Sequence, residues 1–166
     1  MPVPDRDDVV GKPTTKGVIS VERGPVSNFA SALKDENPVY HDENAAKEAG
    51  FDDIPAPPTW GFAMGHWGKF TEDQPADDPS KDGSPMMAVM GGLMAEGGLI
   101  LHGEEEFEYH KPLVVGQTLQ EEGKITDFYT KESSSATMTF LVTETEYRDE
   151  AGDLVLTARM NLIHRK

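Results

Sequence analysis

Hydrophobic positions recur with two different periods along the chain, and the change falls near its middle. In 24–34, Val26, Phe29, Ala30 and Leu33 recur at i, i+3, i+4 and i+7, the stripe of an amphipathic helix. Pro25 suits its first turn, where a missing N–H costs nothing. Asn37-Pro38 predicts its end, because the residue before proline is pushed out of the α region. Glu43 to Ala49 predicts a short helix closed by Gly50. Pro57-Pro58-Thr59 then opens TWGFAMGHWGKF, whose Trp60, Phe62, Met64, Trp67 and Phe70 predict a buried helix in spite of three glycines. The polar, Pro/Asp-rich segment 71–85 is expected to be a mobile loop that orders only with ligand, and Met86 to Ala95 predicts a second helical piece or a lid.

Beyond residue 98 the period becomes two. The segments 99–110, 117–132, 134–148 and 153–165 alternate as strands do; in the last, Leu154, Leu156, Ala158, Met160 and Leu162 share one face and Val155, Thr157, Arg159 and Asn161 the other. Lys111 to Gly116 links the first two strands, and Asp149 to Asp153 predicts a hairpin turn. Residues 9–21 end in a further strand. Helices first, then an antiparallel run with a fifth strand from the N-terminus, predict a single α+β domain over 1–166, a curved antiparallel sheet wrapped around a central helix.

Charge narrows the partners. Thirty Asp and Glu against fifteen Lys and Arg give a net charge of −15, which excludes a basic footprint for nucleic acid. There is no cysteine, hence no disulfide framework and no thiolate metal site. The five histidines never fall at HxH or HxxxH spacing, so no metal is expected. The N-terminus lacks a basic head and an apolar run, predicting no secretory signal. The longest weakly polar stretch, 86–101, is too short for a bilayer and carries Glu96. A soluble, cytoplasmic chain is expected, with no membrane partner.

The candidate chemistry lies between the first two helices, where Asp35, Asn37, Pro38, Tyr40 and His41 crowd together. Asp35 and His41 are an acid–histidine pair with a turn between them that could aim both inward, an imidazole being suited to proton transfer near neutral pH. Asn37 would fix the loop and Pro38 stiffen it. The same residues also serve as ordinary helix-ending turn residues, and His41 as an exposed loop histidine. His66 and Trp67 read as core or pocket lining, His102 and His110 as sheet-edge or hydrogen-bonded residues, and Glu104 to Glu106 as a solvated face.

Asp35-Glu36-Asn37-Pro38-Val39-Tyr40-His41-Asp42-Glu43, preceded by Phe29-Ala30 and followed by Ala56-Pro57-Pro58-Thr59 and by LHGEEEFEYHKPLVVGQTL at 101–119, resembles the MaoC-like dehydratase family. The likeness is to its N-terminal-domain type, which includes mycobacterial 3-hydroxyacyl-ACP dehydratase subunits, and it spans nearly the whole chain, with 71–95 least well matched. The (R)-specific enoyl-CoA hydratase signature is D-x-N-P-x-H; here Tyr40 adds one residue before His41, a longer spacing that N-terminal-type relatives share. The resemblance implies a hotdog fold and an (R)-specific 3-hydroxyacyl-thioester dehydratase or enoyl-CoA hydratase acting on CoA- or ACP-linked acyl groups. It implies Asp35 and His41 as the acid–base pair, supported by Asn37, Pro38 and Tyr40. Backbone N–H groups of Thr59, Trp60 and Gly61, at a helix start, would polarise the thioester oxygen. It implies no cofactor, and a homodimer or a heterodimer with another hotdog chain. A non-catalytic acyl-binding subunit of a hetero-oligomeric dehydratase is the alternative, and an acyl-CoA thioesterase the third reading.

Overall fold

The computed structural model describes residues 4–81 and 84–166. In chain order it contains α1 (Arg6–Val9), β1 (Pro13–Ser20), α2 (Arg23–Ala32), a 3₁₀ turn at Pro38–Tyr40, α3 (Glu43–Glu48), α4 (Trp60–Trp67), α5 (Pro85–Ala95), β2 (Leu99–Tyr109), β3 (Thr118–Glu132), β4 (Thr137–Arg148) and β5 (Leu154–Arg165). The strands make one antiparallel sheet in the order β1-β3-β4-β5-β2, with β1 and β2 as its edges.

Period-two patterning sets which side of each strand is buried. On β4, Thr139, Leu141, Thr143 and Tyr147 turn inward. On β3 the buried set runs Leu119, Glu121, Gly123, Ile125 and then Phe128. The phase slips because the register with β4 shifts between Ile125 and Asp127, a bulge that adds one residue to one strand only.

Two apolar clusters form the core. Under α4, Trp60 and Met64 pack with Ile19, Leu119, Val155 and Leu156, and α2 adds Val26. Under α5, Val89, Met90 and Leu93 meet Ile125, Phe128 and Leu141. Each fully buried large side chain contributes roughly 1.5–3 kcal/mol relative to exposure.

Several expectations need correction. The helix α2 does not run on to Asn37-Pro38. It ends at Ala32, because Lys34 adopts the left-handed region (φ 57°) and Asp35 N–H returns to Ala30 C=O at 3.1 Å, a Schellman closure that satisfies the last carbonyls earlier. Leu33, placed on the buried stripe by its spacing, is half exposed as a result. Phe62 and Trp67 of α4 are also half exposed, since α4 packs on the sheet along one side only.

Of the segment expected to be a mobile loop, Asp82 and Gly83 lie outside the described residues. Residues 71–81 are fastened along the free edge of β1. The Gln74 amide donates to Val18 C=O at 2.9 Å and accepts from Val18 N–H at 3.0 Å, as a neighbouring strand would. The nearly buried Asp78 carboxylate accepts from Lys16 N–H at 3.2 Å and from the Ser80 hydroxyl at 2.7 Å. An unpaired strand edge is thereby covered.

Beneath this strap Glu121, almost wholly buried, accepts from the Thr15 hydroxyl at 2.7 Å and pairs with Lys69. Removing one partner of such a pair strands the other charge. Lys69→Met is therefore expected to lower unfolding stability by about 3 kcal/mol, and Lys69→Met with Glu121→Leu to recover most of it, on the order expected when a buried pair is replaced by apolar residues; urea denaturation measures both.

Candidate active site

The loop from Asp35 to Asp42 is shaped by backbone groups seeking partners. Asp35 Oδ1 accepts from Asn37 N–H at 3.0 Å, and Asn37 Oδ1 accepts from Val39 N–H at 3.2 Å, capping the 3₁₀ turn that Pro38 opens. Asp42 Oδ1 caps α3 through Ala45 N–H at 2.8 Å. These are turn and cap uses of Asp and Asn. Arg23, from the first turn of α2, clamps the loop by donating to His41 C=O and to Glu43, each at 3.1 Å.

The structure does bring Asp35 and His41 together, through the main chain: His41 Nε2 lies 2.8 Å from the Asp35 carbonyl oxygen. The carboxylate is directed instead to Asn37 N–H. Tyr40 is the loop's inward-facing polar side chain; burial first, and then the Asp35 charge, push its phenol above the ordinary tyrosine range.

Beside the loop lies an apolar cleft of about 390 Å³, walled by Val39, Tyr40 and Phe51 on one side and by Tyr109 and Leu113 on the other. Its frame is a short backbone pairing: Pro55 bridges Val114, Ala56 N–H donates to Leu113 C=O at 2.8 Å, and Val115 N–H donates to Ile54 C=O at 2.9 Å. Lys111 touches the cleft but its ammonium is held by Asp149 and Asp153 at 2.7 and 2.6 Å. The cleft therefore offers apolar surface, the phenols of Tyr40 and Tyr109 and the imidazole of His110, whose Nε2 lies 3.1 Å from the Thr157 hydroxyl, with no unpaired Lys or Arg on its lining among the described residues, a lining suited to a largely apolar chain. A groove of about 420 Å³ across β1, β3 and β4 is walled by paired charges, Lys16–Asp77 at 2.5 Å and Lys124–Glu144 at 3.4 Å, and lacks that apolar character.

The start of α4 closes one end of the cleft at Pro58. Of the three amides expected to polarise a thioester oxygen, Trp60 N–H is spent on Pro57 C=O at 2.8 Å. At this helix start the Tyr109 phenol donates to Pro58 C=O at 2.6 Å. Thr59 N–H has no protein acceptor among the described residues and sits on an exposed residue. The Trp60 indole is fully buried, edge-on to Phe29 at 5.3 Å and against Trp67 at 5.7 Å, so it belongs to the core. Tyr109 was not singled out by sequence reasoning; it follows Glu105 and Phe107 in the phase that the β2 register shift sets, and unlike them it is exposed.

A five-stranded antiparallel sheet packed on helices is the hotdog fold, here with an Asp-to-His loop and an apolar cleft beside it. The chain belongs to the FAS1-like, dehydratase domain region family, whose family model matches residues 8–158. It is 32% identical over 145 residues to a UPF0336 protein of Thermobifida fusca, covering 87% of this chain and 83% of that one. It is 30% identical over 141 residues to a probable enoyl-CoA hydratase alpha subunit of Thermomonospora curvata, covering 83% of this chain and 43% of that one. Among solved structures, a chain of the HadBC (3R-hydroxyacyl-ACP dehydratase) complex of Mycobacterium tuberculosis is similar with a TM-score of 0.69 at 20% identity, over 97% of this chain and 98% of that one.

Among the described residues no cluster of His, Asp and Glu is arranged to hold a metal ion, and no helix is long and apolar enough to cross a membrane. The other acid–histidine contact is at the β2 edge, where His102 Nε2 meets Glu105 Oε2 at 2.9 Å. Burial raises the Glu105 carboxyl above its ordinary range, and the His102 contact works against it without prevailing. A raised carboxyl pKa favours the protonated fold, so stability from this group is present at acid pH and is lost as pH rises through the folded value. Glu105→Gln is expected to be more stable than the parent at about pH 7 and equal to it at about pH 3.5, below the ordinary carboxylate range; urea midpoints at the two pH values check the sign.

Proposed function

We propose that this chain works in an (R)-specific 3-hydroxyacyl-thioester dehydratase or enoyl hydratase as the hotdog subunit that holds the acyl group, with the acid–base pair supplied across the interface by a second hotdog chain. Dehydration removes a proton from C2 and gives one to the leaving C3 hydroxyl, and it builds enolate charge on the thioester oxygen. A subunit that performs all three tasks presents a free carboxylate, a free imidazole nitrogen and free amide donors to one cavity. Here Asp35 Oδ1 serves Asn37 N–H and His41 Nε2 serves the Asp35 carbonyl, and neither residue lines the cleft, which Tyr40 and His110 line instead. That single contrast carries the reading.

The second chain has a place to sit. Among the described residues the outer edge of β2 pairs with no strand, and Leu99 and Leu101 on it are exposed beside the exposed Met87 and Met94 of α5. Such apolar surface next to a free edge suits strand-to-strand pairing. The Mycobacterium tuberculosis chain of similar fold is part of a two-component complex, and the Thermomonospora curvata relative is called an alpha subunit, which supports a two-chain assembly. The carrier is CoA or acyl carrier protein, and the setting cytoplasmic.

A second reading, catalysis by Asp35 and His41 themselves, is favoured by one observation: the 2.8 Å contact keeps both residues on one short loop at the mouth of α2, and substrate could recruit them. A crotonyl-CoA hydration assay separates the two. The purified chain alone is expected to be inactive, and activity is expected to return on co-expression with its hotdog partner and to survive His41→Ala and Asp35→Asn. A loss of about a hundredfold or more in those variants, the usual scale for a general acid or base, assigns catalysis to this chain instead. Release of free thiol without hydration points to thioester hydrolysis.

A further inference from the structure

Two phenols line the cleft from opposite walls, and their hydroxyls are in different states. Tyr109, at the last position of β2, donates its proton to Pro58 C=O at 2.6 Å, so toward the cleft its oxygen can only accept. Tyr40, at the end of the 3₁₀ turn, is fixed by its main chain, Tyr40 N–H donating to Asn37 C=O at 3.1 Å. Its hydroxyl meets no protein partner among the described residues, and burial and the Asp35 charge hold its proton in place. The cleft thus sets a free donor opposite a committed acceptor. A thioester carbonyl accepts only, and an alkyl or alkenyl carbon does neither. An alcohol does both: it accepts from Tyr40 and donates to Tyr109. The surrounding Val39, Phe51 and Leu113 suit the carbon chain that carries it. Tyr40 is also the residue that places His41 one position beyond the D-x-N-P-x-H spacing, and it faces the cleft that Asp35 and His41 do not line.

We infer that Tyr40, together with Tyr109, recognises the hydroxyl of a 3-hydroxyacyl chain, so that this subunit prefers the hydroxylated thioester to the saturated and the dehydrated ones. The inference rests on the acyl-holding reading above and adds to it two specificity-determining residues and the substrate oxygen they read. Each neutral hydrogen bond is worth about fivefold in affinity. Elimination removes the hydroxyl as water and both contacts with it, so the enoyl product leaves more readily than the substrate.

N-acetylcysteamine thioesters of hexanoic, hex-2-enoic and (R)-3-hydroxyhexanoic acid, which carry neither nucleotide nor carrier protein, test this by ligand-observed NMR titration of the full chain. The parent is expected to bind the hydroxylated ester about tenfold more tightly than the other two, the scale of one to two neutral hydrogen bonds. Tyr40→Phe removes one oxygen and keeps the ring. It is expected to leave the hexanoyl affinity unchanged and to cut the preference about fivefold, and Tyr109→Phe to cut it by a similar factor. His110→Gln, at the third polar side chain of the lining, is expected to keep the preference in full. A preference undiminished in either phenol variant overturns the part given to that residue, and one lost only in His110→Gln overturns both parts. Equal binding of the three esters by the parent overturns hydroxyl recognition while leaving the acyl-holding reading intact. Absence of binding by all three overturns that reading as well.

Discussion

The close approach of α4 to the sheet at Gly61 is the constraint on which the rest of the molecule turns. A Cβ at that position would stand 2.9 Å from the Phe107 ring and 3.0 Å from a Leu156 methyl, nearer than carbon atoms tolerate. With only hydrogen there, the first turn of α4 lies flat against β2 and β5, Trp60 is driven into the core, and Pro58 presents its carbonyl to Tyr109. The same approach fixes the cleft, because its floor at Pro55–Pro58 is the chain leading into that turn. Lock-step packing of this kind is what a dense interior enforces.

The loop between α2 and α3 shows how backbone demands and catalytic appearance can use the same letters. Asp, Asn and His at short spacing are the residues of an acid–base site, and Asp and Asn are equally the residues that cap helices and close turns. Here each carboxylate and amide oxygen of Asp35, Asn37 and Asp42 finds a backbone N–H two or three residues on. The local partner is always within reach, whereas a substrate must be supplied from outside.

Much of the architecture was legible in the sequence. The four C-terminal strands appear within a few residues of their expected bounds, because period-two alternation is a property of the strand itself. The short helix over Glu43–Glu48 and the helix opening at Trp60 were likewise legible from capping and composition. What was not legible depends on contacts distant in the chain. Leu33 keeps helical spacing yet is exposed, since a left-handed Lys34 ends α2 early. The Pro/Asp-rich composition of 71–81 is that of a loop, but nothing in it announces that Gln74 and Asp78 will be spent on Val18 and Lys16. Tyr109 is one aromatic of an alternating strand until the fold sets it against Pro58, some fifty residues away in sequence.

The β2 edge carries a row of like charges. Glu104, Glu106 and Glu108 alternate along it, and the cation facing them, Arg159, is shared between Glu106, Glu108 and Glu144, leaving the row acidic. Two identical copies laid edge to edge in antiparallel fashion would bring carboxylates opposite carboxylates, an arrangement that costs stability in any cross-strand pair. A neighbour whose edge is basic meets no such repulsion and is drawn in by the field of a molecule with fifteen excess negative charges. The sign of one row of side chains thus biases which edges can approach, and it acts before any apolar surface has touched.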